Sequence, residues 1–118
     1  MKNIFTLNSK VSIYVPSIVG VNGADKDNLQ ERFTNEVLRE FSNMFGGATM
    51  TKARGAWVAA NNELIEEGVN VVYSFCTELA FERFTDKIVK LAKRICKIMK
   101  QEAVTLEYNN KVAFISND

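Results

Sequence analysis

Six side chains of this chain carry the chemistry it could offer to a ligand: Tyr14, Ser17, Asn22, Arg54, Trp57 and Glu67. Tyr14 sits between Ile13 and Val15, where a phenol on an apolar ribbon could stack on a ring or donate a hydrogen bond. Arg54 stands beside Gly55, which lets a guanidinium fork come close to a phosphate or a carboxylate; an ion pair with Glu66 or Glu67 across a hairpin satisfies it equally well. Trp57 is the sole tryptophan, suited to core or subunit-interface packing or to a stacking platform. Ser17 opens, and Asn22 lies within, a glycine-bearing polar stretch, 17–27, whose length fits a binding loop. Glu67 follows Glu66, and in a regular strand the two point to opposite faces, so they cannot share acid and base roles.

What is missing constrains the chemistry as strongly. The chain has no histidine, which removes the usual general base near neutral pH, the commonest metal ligand and every Ser/His or Cys/His pair. Cys76 and Cys96 are both set among apolar residues and read as buried free thiols; two cysteines without histidine do not close a zinc site. No metal and no cofactor is expected. Fifteen basic residues against fourteen acidic ones leave no dominant field for nucleic acid, although the lysines of the second helix could meet an acidic partner or nucleic acid.

These residues need a scaffold, and the periodicity supplies one. Val11–Val15 alternates as a strand that Pro16 ends, while Ile4–Leu7 reads as an extended arm or edge strand. A first helix is expected from Asp27, capped by its own carboxylate with Gln30 reaching back; Leu29, Phe33, Val37, Leu38, Phe41, Met44 and Phe45 form its apolar stripe and Gly46-Gly47 its stop. Ala48–Val58 and Leu64–Phe75 follow as a hairpin about Asn61-Asn62, with Gly68 suggesting a bulge or a close approach. Thr77 caps a second helix with a stripe of Phe81, Phe84, Ile88, Leu91, Ile95 and Ile98. Val104–Tyr108 and Val112–Ile115 close the chain as a hairpin about Asn109-Asn110.

At 118 residues, 47% of them hydrophobic, the chain is expected to form one domain, 1–118, removing about 65% of its unfolded surface from water. The amino-terminal apolar run is too short for a signal peptide or a membrane span, so a cytoplasmic, membrane-free protein is expected. The fold class is α+β. The β-α-β-β-α-β order with an extra carboxyl-terminal strand resembles the ferredoxin-like α/β plait, in which two helices cover one face of a mainly antiparallel sheet.

Two resemblances follow from short motifs. Ile13-Tyr14-Val15-Pro16-Ser17-Ile18 and Arg54-Gly55-Ala56-Trp57-Val58 resemble the two strand motifs of the RNA-recognition motif, which implies single-stranded RNA stacked on Tyr14 and Trp57. In that family the second motif lies on the third strand, whereas here it falls on the second. Tyr14-Val15-Pro16-Ser17, Phe45-Gly46-Gly47-Ala48-Thr49, Gly55-Ala56-Trp57 and Gln101-Glu102-Ala103-Val104 resemble short proteins of bacterial mobile elements and phages, which implies a small binder such as an inhibitor of host defence. Three functions stand open at this point. The leading expectation is a non-enzymatic binding module, homo-oligomeric through an open sheet face or an edge, that takes a protein partner or a small anionic ligand. The others are an RNA-binding plait domain and a cofactor-free enzyme on a plait dimer using Tyr14, Arg54 and Glu67 or Glu102.

Overall fold

The computed structural model describes residues 4–17 and 27–117. Its elements run β1 (Ser9–Val15), α1 (Leu29–Phe45), β2 (Thr49–Val58), β3 (Leu64–Cys76), α2 (Glu78–Ile98), β4 (Val104–Tyr108) and β5 (Lys111–Ile115). The strands make one sheet in the order β2-β3-β1-β4-β5, every neighbouring pair antiparallel. The expected element order and the extra final strand are therefore present. Residues 4–8 form no strand.

β1 is the centre of the fold because its alternation lets it bury one face between two neighbours. Val11, Ile13 and Val15 are fully buried and meet Phe33, Val37 and Phe41 of α1 and Ile88, Leu91 and Ile95 of α2. Phe45 joins the helices, lying edge-on to Phe41 at 5.8 Å and to Phe84 at 5.9 Å. Each of these large apolar side chains stabilises the fold by roughly 1.5–3 kcal/mol. Ion pairs between the helices, Glu36 with Arg94 and Glu40 with Lys87, lie outside that core. Ile98 departs from the expected stripe and is exposed, its place inside being taken by Cys96 and Met99. Both cysteines are buried and free.

Local signals are obeyed at most boundaries. The Thr77 hydroxyl accepts from Ala80 N–H at 3.1 Å, starting α2. Gly46 takes φ +90° and donates its N–H to Ser42, ending α1. Asn109 and Asn110 hold φ of +50° and +67° and turn β4 into β5, the geometry that favours a twisted two-residue hairpin. Three expectations fail. α1 is capped by Asn28 in a left-handed conformation without a side-chain bond, not by Asp27. Gln30 does not reach back to the cap because its amide donates to the carbonyls of Val15 and Gly68. Gly68 makes no bulge, since the register passes through Arg54↔Gly68 without a break.

β1 pairs with β3 only as far as Val15↔Asn70, whereas β2 and β3 stay paired as far as Val58↔Leu64. The last six pairs, Ala53↔Val69 to Val58↔Leu64, project beyond the sheet as a two-stranded arm. This makes the molecule 57 Å long against 26 and 24 Å across. Among the described residues no helix is long and apolar enough to cross a membrane.

Candidate active site on the open sheet face

Since both helices cover one face, the other face is open, and strand alternation decides what stands on it. Val11, Ile13 and Val15 of β1 point inward, so Lys10, Ser12 and Tyr14 point outward. The register sets Ser12 opposite Tyr73 on one side and Glu107 on the other, with Thr49 beyond Tyr73 and Val112 beyond Glu107. One row across the open face thus reads Thr49, Tyr73, Ser12, Glu107, Val112. The Tyr14 hydroxyl donates to Glu107 Oε1 at 2.9 Å. The Lys10 ammonium lies 4.3 Å from the centre of the Tyr73 ring and 5.8 Å from that of Phe75. Tyr73 and Phe75 meet edge to face at 5.9 Å.

Beside this pair a cleft of about 450 Å³ is lined by Ser9, Lys10, Ser12, Phe75, Glu107 and Asn109, among others. Its lining is mainly polar, with Leu7 and Phe75 as its apolar members; Val112 and Phe114 are exposed elsewhere on the same sheet face, Phe114 by 72%. The arrangement offers an acceptor carboxylate, a fixed hydroxyl donor, one ammonium and aromatic rings within a few residues. That set suits a small ligand carrying both a positive and a negative group on an aromatic body. The hydrogen bond to the Glu107 carboxylate, with burial and the same negative charge adding to it, raises the Tyr14 phenol above its ordinary value. Tyr14 is therefore a donor that holds Glu107 in place, not a base. Burial likewise pushes the Cys76 thiol up; it lies on the helix side of β3 and takes no part in this face.

The residues singled out from the sequence are dispersed. Tyr14, Trp57 and Glu67 do share the open face, as the register shows: Tyr14 stands opposite Val71, Glu67 opposite Gly55 and Trp57 opposite Ile65. However, Trp57 lies six residues along the ribbon from the row of Tyr14, about 20 Å at strand rise. Trp57 is 51% exposed on the arm and is not a core residue. Arg54 is on the opposite face and is tied to Glu66 at 2.5 Å. Ser17 is buried at the end of β1, its hydroxyl without a partner among the described residues. Asn22 lies outside the described residues, as does Ile18. Glu102 is exposed after α2. Sequence reasoning missed Glu107, Lys10, Ser12 and Tyr73, although the alternation of Thr105 and Glu107 with Val104, Leu106 and Tyr108 marked Glu107 as outward-facing.

A larger cleft of about 720 Å³ lies on the helix side where the arm leaves the sheet, lined by Gln30, Thr34, Lys52, Arg54 and Asn70 among others. Three of its polar groups, Gln30, Thr34 and Asn70, are bonded within the fold. Gln30 bridges β1 and β3 as described, Thr34 Oγ1 donates to the Gln30 carbonyl, and Asn70 donates to Thr34 Oγ1 at 3.1 Å. The open face is preferred as the site because it sets Glu107, which keeps acceptor capacity beyond Tyr14, close to the Lys10 ammonium and the Tyr73 and Phe75 rings.

No protein-family model matches the sequence, and no curated protein matches it. Among solved structures, a phage SAM lyase in complex with S-methyl-5'-thioadenosine shares the fold at a TM-score of 0.63 and 22% identity, over 98% of this chain and 95% of that one. A phage SAM lyase in the apo state matches at 0.63 and 18% identity, over 98% of this chain and 94% of that one. These likenesses place the chain in a small α+β fold that an enzyme uses, not among RNA-recognition motifs. The expectation of a non-enzymatic binding module is overturned, since these two solved chains, matched over nearly their whole length, are those of a lyase. Both are phage proteins, which agrees with the resemblance to phage proteins read from the sequence.

Proposed function

We propose that this protein cleaves S-adenosylmethionine at the open sheet face and releases S-methyl-5'-thioadenosine. The observation that carries the reading is the shared fold, over 98% of this chain, with a SAM lyase that holds that thioether. The chemistry of the face supports it. The substrate bears a sulfonium, an ammonium and a carboxylate on an adenosyl body. Glu107 suits the positive groups, Lys10 the carboxylate, and the Tyr73 and Phe75 rings both the sulfonium and the purine.

Such a cleavage does not need histidine. Breaking the bond between sulfur and the γ-carbon of the amino-acid chain leaves its electron pair on sulfur, which departs as a neutral thioether and takes no proton. If the substrate's own carboxylate oxygen forms the new bond to that carbon, a five-membered lactone closes. Sulfonium and carboxylate charges vanish together, and no proton or water is exchanged. The protein then has to fold the substrate so that carboxylate and sulfur lie on opposite sides of the γ-carbon, which is catalysis by positioning and electrostatics. The competing elimination would need a base to take a β-proton, a role that would fall to Glu107.

The strand order β2-β3-β1-β4, with two helices on one face and β5 added at the edge, supports the ferredoxin-like plait as the finer description of the fold. An S-adenosylmethionine substrate fits a protein of the cytoplasm.

The test is to incubate the purified protein with S-adenosylmethionine and follow S-methyl-5'-thioadenosine by chromatography. It should form in excess of a protein-free control, and Glu107→Gln should slow it by roughly 10-fold or more. The second product separates the routes: a lactone, or the homoserine it opens to, marks ring closure, and an alkene marks elimination. A folded protein that leaves S-adenosylmethionine intact would refute the reading.

A further inference from the structure

The second half of α2 carries more positive charge than the fold itself uses. From Lys87 to Lys100 the chain places six basic residues and no acidic one, after an opening half that holds Glu78, Glu82 and Asp86. Two of the six are turned toward α1 and neutralised there, Lys87 by Glu40 and Arg94 by Glu36. The other four, Lys90, Lys93, Lys97 and Lys100, are exposed and have no ion-pair partner among the described residues. Their steps of three, four and three keep them on one side of the helix, as a ridge about 15 Å long. Helix stability does not account for it. The helix dipole favours cations only within the last turn, which reaches Lys97 and Lys100 but not Lys90 or Lys93. Like charges three and four residues apart repel, so Lys90 with Lys93 and Lys93 with Lys97 weaken the helix that carries them. Negative charge from outside the chain would offset that repulsion.

We propose that this lysine ridge binds the phosphate backbone of duplex nucleic acid without reading its sequence. Over about 15 Å of duplex axis one strand presents about four phosphates, and the ridge presents its four ammonium groups over the same length. An ammonium on a flexible stem meets a phosphate as a point charge and needs no fixed geometry. No aromatic residue occurs from 85 to 107, so nothing on this stretch of chain stacks on a base. A protein partner fits less well, because protein interfaces are enriched in aromatic residues and arginine and depleted in lysine.

The net charge of +1 does not cancel the ridge, since at 0.1 M salt exposed charges more than about 10 Å away are largely screened. Because α2 covers the helix side of the sheet, the ridge faces away from Glu107 and the open-face cleft. A bound duplex leaves that cleft free, and the proposal does not rest on the lyase reading.

The full chain is titrated into a fluorescein-labelled duplex of about 20 base pairs, and binding is read by anisotropy at a series of salt concentrations. Wild type should bind at micromolar protein in low salt and weaken with a log–log salt slope of about −3.6, the value for four phosphates. K90Q/K93Q/K97Q should keep its circular dichroism, bind at least about 10-fold more weakly and have a slope shallower by ~2.7. R39Q/K52Q/K111Q removes the same charge from exposed positions off the ridge and should stay within about threefold of wild type. A wild type that leaves the duplex free at about 100 µM in low salt overturns the proposal. So does a ridge variant that binds undiminished, or an off-ridge variant that loses as much as the ridge variant. Polyglutamate that displaces the labelled duplex as well as unlabelled duplex does would assign the ridge to an acidic protein and overturn it too.

Discussion

Replacing Tyr14 with phenylalanine removes a single oxygen, the one that donates to Glu107 Oε1 at 2.9 Å. A hydrogen bond to a charged group contributes ~1.5–3 kcal/mol where both partners are removed from water. Tyr14 and Glu107 are both only partly buried, so water replaces some of that loss and a cost of ~1–2 kcal/mol is expected. With unfolding entropy near 2.1 cal/mol/K per residue, the chain has about 250 cal/mol/K at its midpoint, so the melting temperature should fall by ~4–8 °C. The pH dependence follows from the raised Tyr14 phenol. The folded state holds that proton more tightly than the unfolded chain, so the stabilisation is complete below the ordinary tyrosine value near 10. It is lost as pH rises through the higher folded value, where a phenolate would face a carboxylate. Thermal unfolding of wild type and Tyr14→Phe from pH 7.5 upward should show a gap that is full at neutral pH and closes in alkali. Cys76 is present in both proteins, so its contribution cancels in the difference. A gap below about 0.5 kcal/mol at pH 7.5, or one that widens as pH rises, would refute the account of the pair.

Three further perturbations test the scaffold. Phe41→Ala empties a fully buried site under β1 and should cost ~3–5 kcal/mol in urea unfolding, enough to consume much of the stability of a domain this size. Thr77→Ala removes the acceptor for Ala80 N–H and should cost ~1 kcal/mol, read from the same denaturation curves. Lys100 ends α2 at φ +54°, with Lys100 N–H donating to Lys97 and Gln101 N–H to Cys96; Lys100→Gly should raise stability by ~0.5–1 kcal/mol, because glycine adopts that conformation without the side-chain clash.

The absence of histidine shows how a sound compositional fact can lead to a wrong function. It does remove the common acid–base and nucleophile pairs. It removes an enzyme only if the reaction needs one of them, and a sulfonium substrate carries its own leaving group and its own nucleophile. The motif likeness around Tyr14 and Trp57 misled in a similar way. Both side chains do stand on one face, but the arm separates them by about 20 Å, too far for the rings to act as one platform.

The sequence by itself determined the elements and their inward faces. Period-two alternation in Val11–Val15, the three-and-four spacing from Phe33 to Met44, the Thr77 cap, the Gly46 stop and the Asn109-Asn110 turn are each local signals. Each works through sterics and hydrogen bonds within a few residues, which is why they are legible in a string. Tertiary structure alone decided which residues meet. Tyr14 and Glu107 are 93 residues apart, and their pairing depends on β1 lying between β3 and β4 in one register, a long-range choice made by the burial of Val11, Ile13 and Val15. The same long-range choice took Gln30 from its expected cap to the carbonyls of Val15 and Gly68. It also ended β1 beside Asn70, leaving the rest of the hairpin to project as an arm that no local pattern foretells.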